Sequence, residues 1–265
     1  MKIFISADIE GVNSITAWRE TDAPNSEYLP FKKQMNAEVA HAVQGAVNAG
    51  AKEVFVKDAH DSARNLDINL LPDQTILHRG WEGSPSSMMA GLDETYDAVL
   101  FVGYHSAAGD AGNTLSHTMN TRINYIKING EIASEFTINA LYASYLGVPI
   151  AFLSGDEALT KSVQNANPNI KVVATKIGAH GATISKHPNI TNKEIEDTVS
   201  MSLKEDLKTK LVPLPDKFKV EINFKYHADA YSSSFFPGCK LKDDFTVTYS
   251  SKNYYDVLVM MKFVL

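Results

Sequence analysis

Four short apolar runs, each closing on polar residues, limit the folds open to this chain: "KIFISA" ahead of Asp8, "EVFVKDAH", "DAVLFVGYH" and "VPIAFLSGD". Between them lie segments of helical period. Met35, Val39, Val43 and Ala46 recur at three- and four-residue intervals before a Gly50 stop, and "SEFTINALYASYLG" is a second helix ending at Gly147. Such alternation predicts an α/β chain, a mostly parallel, doubly wound (Rossmann-like) three-layer sheet with helices on both faces. Asn129 and Gly130 in "INYIKINGEI" suit the type I′ turn of a hairpin.

Beyond about residue 156 the texture changes. "TNKEIEDTVSMSLKEDLKTKL" reads as an amphipathic helix opened by a Thr191/Glu194 capping box. "FKVEINF" and "FTVTYS" alternate sides like strands of a partly exposed sheet, and "VLVMMKFVL" reads as a packed terminal helix. The expected division is a main α/β domain over residues 1–185 and a smaller α+β lobe over residues 186–265.

A chain of 265 residues with 44% apolar content can bury a sizeable core. Its net charge of -6 and lack of a Lys/Arg cluster argue against nucleic acid or a membrane surface as a partner. No apolar run approaches the roughly 20 residues of a membrane span. One cysteine, Cys239, excludes an internal disulfide, and with no basic-then-apolar leader the expected address is cytoplasmic.

The chemistry lies just past the strands. In open parallel sheets ligands gather outside the carboxyl ends of the strands. Asp8 and Glu10 come after the first run, Asp58 and His60 after the second, and His105 after the third. Each alone is a common capping or turn residue, but the same ligand chemistry at three strand ends predicts a metal site. His117 in "LSHTMN", Glu135 in "SEFTINA" and Asn139 one turn later are further candidates. Three carboxylates in one crevice would repel strongly, and two divalent ions would compensate them. Histidine with carboxylate favours zinc over magnesium or calcium and leaves manganese, iron and cobalt open.

In their order along the chain, "SADIEG", "KDAH", "GYH", "LSH" and "SEFTINA" resemble the zinc-dependent D-aminopeptidase family of bacterial dipeptide-transport operons. The resemblance is specific over the first 155 residues and weaker beyond, where "FFPG" is also shared. It implies two zinc ions bridged by Asp8, with Glu10 and His60 on one side and His105 and Glu135 on the other. His117 falls at the position of a catalytic histidine, and Asp58 and Asn139 would support the ligands. The implied reaction is hydrolysis of short peptides with an N-terminal D-residue, such as D-Ala-D-Ala. The implied assembly is a ring-shaped homo-oligomer, a decamer of two facing pentamers.

The segment "SAAGDAGNTL" between His105 and His117 is expected to be a flexible rim loop, and "GVNSITAWRETDAPNSEYLP" a cover over the site, with Trp18 a packing or subunit contact as much as a substrate contact. His78, His180, His187 and His227 are assigned to structure or surface. Two other function classes fit the residues less well: a divalent-metal phosphohydrolase, and a metal-binding α/β module without turnover. Histidines at motif positions and the lack of a phosphate-cradling loop weigh against the first.

Overall fold

The computed structural model describes residues 1–265 and places the first apolar run as strand β1 (Lys2–Ala7), buried almost throughout. Helix α1 (Tyr28–Asn48), β2 (Glu53–Asp58), β3 (Thr75–His78), β4 (Ala98–Tyr104), β5 (Ile123–Ile128) and β6 (Glu131–Ile132) follow. Next come α2 (Glu135–Tyr145), β7 (Ile150–Asp156), α3 (Glu157–Ala166), β8 (Lys171–Ala179), β9 (Ala182–Ser185) and α4 (Pro188–Ser202). The chain ends with β10 (Phe218–Phe224), α5 (His227–Ser233), β11 (Lys240–Asp243), β12 (Thr246–Ser251) and α6 (Tyr254–Val264). No helix is long and apolar enough to cross a membrane.

The four apolar runs are β1, β2, β4 and β7, adjacent and parallel in a seven-stranded sheet of order β3-β2-β1-β4-β7-β8-β9. Successive side chains of a strand face opposite ways, so β1 serves two cores. Phe4 joins Phe101, Tyr104 and Leu153 on one face; Ile3, Ile5 and Ala7 join Val54, Val56 and Val102 on the other, under α1 and α4. Fully burying one such side chain is worth roughly 1.5–3 kcal/mol, which holds the sheet's register firmly. The expected doubly wound architecture is present.

A second, antiparallel sheet of order β11-β12-β10-β5-β6 packs on the first face, with α2 and α6 sharing its core. Asn129 and Gly130 have φ of 54° and 94°, as a type I′ turn requires, and close the β5-β6 hairpin. The division at residue 185 needs correction. β5 and β6 belong to the second sheet, pairing with β10 through Val220↔Ile128 and Ile222↔Ile126, whereas α4 buries Ile195 and Val199 in the core under α1. The capping box also shifts. Pro188 at the first turn starts α4 three residues before Thr191, with His187 as the N-cap, so Thr191 lies inside the helix and accepts from Asn13 Nδ2 at 2.8 Å.

Candidate metal centre

The parallel register delivers the site. Ala7 pairs with Asp58 on β2 and with Val102 on β4, so the residues after all three strands emerge at one edge of the sheet. Two glycines let the chain segments touch there. A Cβ on Gly11 would lie 1.8 Å from the Tyr104 carbonyl oxygen, and one on Gly103, at φ 72°, would lie 2.3 Å from the Asp8 carbonyl oxygen. Gly11 N–H instead donates to the Gly103 carbonyl at 2.8 Å, holding Glu10 against the end of β4.

Asp8 is central. Its Oδ1 lies 3.3 Å from His60 Nδ1 while its Oδ2 lies 3.5 Å from His105 Nε2, so each carboxylate oxygen faces a different imidazole. Glu10 Oε2 sits 3.1 Å from His60 Nδ1. Glu135, at the first position of α2 after the Ser134 N-cap, places Oε2 3.5 Å from His105 Nε2 and Oε1 3.6 Å from His117 Nε2. The five expected ligands and His117 therefore converge.

Each imidazole is oriented from behind by a backbone carbonyl. His60 Nε2 donates to Thr21 O at 2.9 Å, His105 Nδ1 to Ser106 O at 2.9 Å, and His117 Nδ1 to Leu115 O at 2.9 Å. A carbonyl only accepts, so those nitrogens carry the hydrogen and the opposite nitrogens turn toward the acids. His105 Nε2 and Glu10 Oε2 are buried and make no hydrogen bond. Lone pairs facing lone pairs across 3.1–3.6 Å need a proton or a cation between them. The donor set, histidine nitrogen and carboxylate oxygen within 4.8 Å of one another, fits zinc.

Electrostatics sets the scale. Asp8 and Glu10 offer carboxylate oxygens no more than 4.8 Å apart, which repel by at least roughly 3–4 kcal/mol at an effective dielectric constant of about 20, more than one ordinary hydrogen bond returns. Without metal, protons compensate. Burial, then Glu10, lifts Asp8 well above the usual carboxylate range. Burial works the same way on Glu10 but is outweighed by His60, which leaves it well below its usual value. Burial opposes charge on His105, yet Glu135 and Asp8 push it up to about 10, and Glu135 falls to about 2, chiefly because His105 overcomes its burial. His60, similarly buried, is raised by Glu10 and Asp8.

The supporting residues act through the loops. Asp58 makes no hydrogen bond to the His60 ring; it accepts from Asn65 N, Leu66 N and Asn65 Nδ2 at 2.6–2.8 Å, and Asn65 Nδ2 also donates to His60 O at 2.8 Å. Asn139 donates to Tyr104 Oη at 3.0 Å beneath the acids and does not reach Glu135. The 106–116 segment is tied down, contrary to the free loop expected. Asp156, at the end of β7, accepts from Ser106 N, Ser106 Oγ and Asn113 Nδ2 at 2.6–3.1 Å, and Asn113 Nδ2 also donates to Glu10 O. Asp156 carries a signal of its own in the sequence, the fourth strand end closing on an acid.

The centre opens into a cleft of about 580 Å³. Trp18 stands edge-on to His117, ring centroids 5.2 Å apart, and so lines the cleft rather than only packing. Trp81 and Lys262 also line it, and neither stands out in the sequence, because a lone tryptophan in a loop and a lysine late in an apolar helix carry no local pattern.

A mostly parallel α/β sheet with a histidine-carboxylate cluster at its carboxyl edge is the setting of a divalent-metal centre of the kind metal-dependent hydrolases use. The chain belongs to the D-aminopeptidase family, peptidase M55, whose family model matches residues 1–263. It is 29% identical over 266 residues to the D-aminopeptidase of Bacillus subtilis (strain 168), covering 98% of this chain and 96% of that one. It also superposes on the solved Zn-dependent D-aminopeptidase DppA from Bacillus subtilis, a self-compartmentalizing protease, with a TM-score of 0.93 and 27% identity, covering 100% of this chain and 96% of the other.

Proposed function

We propose that this protein is a di-zinc aminopeptidase that hydrolyses short peptides with a free amino terminus and an N-terminal D-residue, D-Ala-D-Ala among them. The observation that carries this reading is Asp8, whose two oxygens face His60 and His105 on opposite sides, the disposition of a carboxylate shared by two ions. Glu10 and His60 would hold one ion, His105 and Glu135 the other. Bound there, zinc supplies polarisation of a peptide carbonyl and acidification of water.

The chain's own groups do the rest. His117, its Nδ1 hydrogen fixed on Leu115 O, presents Nε2 to the cleft, where it takes a proton from the attacking water and returns one to the departing amine. Buried Tyr104 and Asn139 form a rigid floor under Asp8 and Glu135. Of the residues lining the cleft only Lys262 is Lys or Arg, so there is no cationic clamp for a phosphoryl group. The chain would assemble as a ring-shaped homo-oligomer, a decamer, in keeping with its self-compartmentalizing relative. A cytoplasmic location accords with the single, buried, unpaired thiol of Cys239.

The test is release of free D-alanine from D-Ala-D-Ala by the purified protein, beside p-nitrophenyl phosphate as a control. Turnover abolished by chelation and restored by zinc is expected; phosphate release without D-alanine release would overturn the assignment.

A further inference from the structure

The cleft is electrically lopsided. On its β2 side Asp22, Asp61 and Glu82 line the wall around His60: Asp22 comes directly after the Thr21 carbonyl that holds His60 Nε2, and Asp61 is tied to Trp81 through Trp81 Nε1 donating to Asp61 O at 2.6 Å. On its β4 side, beyond Glu135, the wall is Met119 and Asn120 with Lys262 in the last turn of α6. Met119 N–H donates to Glu135 Oε1 at 2.7 Å, which puts this wall directly beside the cluster.

Lys262 differs from the other lysines near the site. Lys57 is held by Asp58 O and Gly80 O at 2.7 Å under Trp81, and Lys176 by Glu10 O and Ile15 O. Lys262 is exposed to the cleft and makes no ion pair or hydrogen bond within the chain. Its helix end is fixed: Asn120 Nδ2 and Arg122 both donate to the Leu265 carbonyl oxygen. A lysine in a last turn also suits the helix dipole, but that requires only a solvated side chain, not one lining the cleft. Lys262 further borders a side pocket of about 270 Å³, shared with Ser87, Met119 and Asn120 and walled by Ile138 and Leu258.

We propose that Lys262 docks the C-terminal carboxylate of a dipeptide substrate, with the side pocket taking the adjoining small side chain and the acidic β2 wall receiving the substrate's ammonium group. This rests on the aminopeptidase reading and adds direction to it. A peptide bound across the centre between an acidic wall and one lysine is oriented by its two terminal charges. An ammonium-carboxylate contact of this kind is worth on the order of tenfold in affinity.

The probes are a D-Ala-D-Ala isostere with a methylene-amine in place of the peptide bond, and the same compound as its C-terminal amide. Binding to the zinc-loaded protein is measured by calorimetry and by intrinsic fluorescence, since both tryptophans of the chain line the cleft. The acid is expected to bind on the order of tenfold tighter than the amide, K262M to erase that preference, and K262R to restore most of it. In turnover, K262M should raise KM for D-Ala-D-Ala more than it lowers kcat. Equal affinity of wild-type protein for acid and amide, or a preference surviving in K262M, would overturn the assignment while leaving the aminopeptidase intact. Failure of the wild-type protein to bind either probe or release D-alanine would instead remove the aminopeptidase reading, and this one with it.

Discussion

His105 and His117 stack face to face, ring centroids 4.3 Å apart and planes within 11°. Both direct Nε2 at Glu135, one at each oxygen, yet His105 is fully buried while His117 is open to the cleft beside Trp18. On the proposed reading that difference in access makes His105 a ligand and His117 a proton carrier. His117→Ala should lower kcat by roughly 10²–10⁴-fold and keep its zinc, whereas His105→Ala should lose zinc. Atomic absorption on the two variants checks this, and loss of one ion per chain in His117→Ala would make His117 a ligand instead.

Zinc must displace the protons that hold the metal-free cluster together. Because His105 is raised to about 10 and His60 lies well above the ordinary imidazole range, both are protonated at pH 7 without metal. Adding zinc at that pH should release at least about two protons per chain, with a further contribution from Asp8, and raise the melting temperature, and a chelator should reverse both. Calorimetry in buffers of different ionisation enthalpy counts the protons; release of none would contradict the imidazole assignments.

Asp8→Asn removes the carboxylate proposed to be shared by two ions while keeping its shape. In the metal-free protein Asp8 is already driven toward its neutral form by burial and by Glu10, which an amide imitates. The variant should therefore melt, under chelation, at or above the wild-type temperature, yet fall below one zinc per chain and lose the stabilisation that zinc confers. A chelated variant melting several degrees lower would show that Asp8 is chiefly structural.

The strand ends are legible in the sequence because both signals there are local: an apolar run of strand length, then a ligand within three residues. Asp8, Glu10, His60 and His105 emerge from that alone. The features that are not legible depend on partners far along the chain. β5 reads as half of a hairpin, and nothing near it announces pairing with β10 some ninety residues later. Lys262 reads as an interruption in an apolar tail, and only the packing of α6 beside residues 119–122 turns it into the cleft. The start of α4 departs from the expected Thr191 because Pro188, a strong first-turn residue, outweighs a capping box inside the helix.

Gly103 should tolerate no side chain. At φ 72° an alanine is strained, and its Cβ would also collide with the Asp8 carbonyl and with Val12 Cγ2 at 2.9 Å. Relief requires β1 and β4 to part where Asp8 and His105 meet. Gly103→Ala is expected to cost roughly 2–5 kcal/mol of stability and to weaken zinc binding. Chemical denaturation with parallel zinc titration tests both, and a variant of wild-type stability would mean the two loops move apart freely.

Glu38 offers a pH signature away from the metal ligands. Fully buried on α1, it accepts from Asn13 N at 2.9 Å and Gln34 Nε2 at 3.0 Å through Oε1, while Oε2 has no partner. Burial raises its carboxyl from 4.5 to about 7 against the pull of those bonds. A folded state that keeps its proton longer than the unfolded chain loses stability as pH climbs from 4.5 to 7, by roughly 3 kcal/mol once the group is ionised. Glu38→Gln keeps the acceptor and removes the charge, so its stability relative to wild type should be unchanged near pH 4, rise through pH 7 and level off above it. Urea denaturation of both proteins from pH 4 to 9 measures that difference directly. A glutamine variant less stable at pH 8 would show that the ionised carboxylate is held by Lys176 more strongly than burial opposes it.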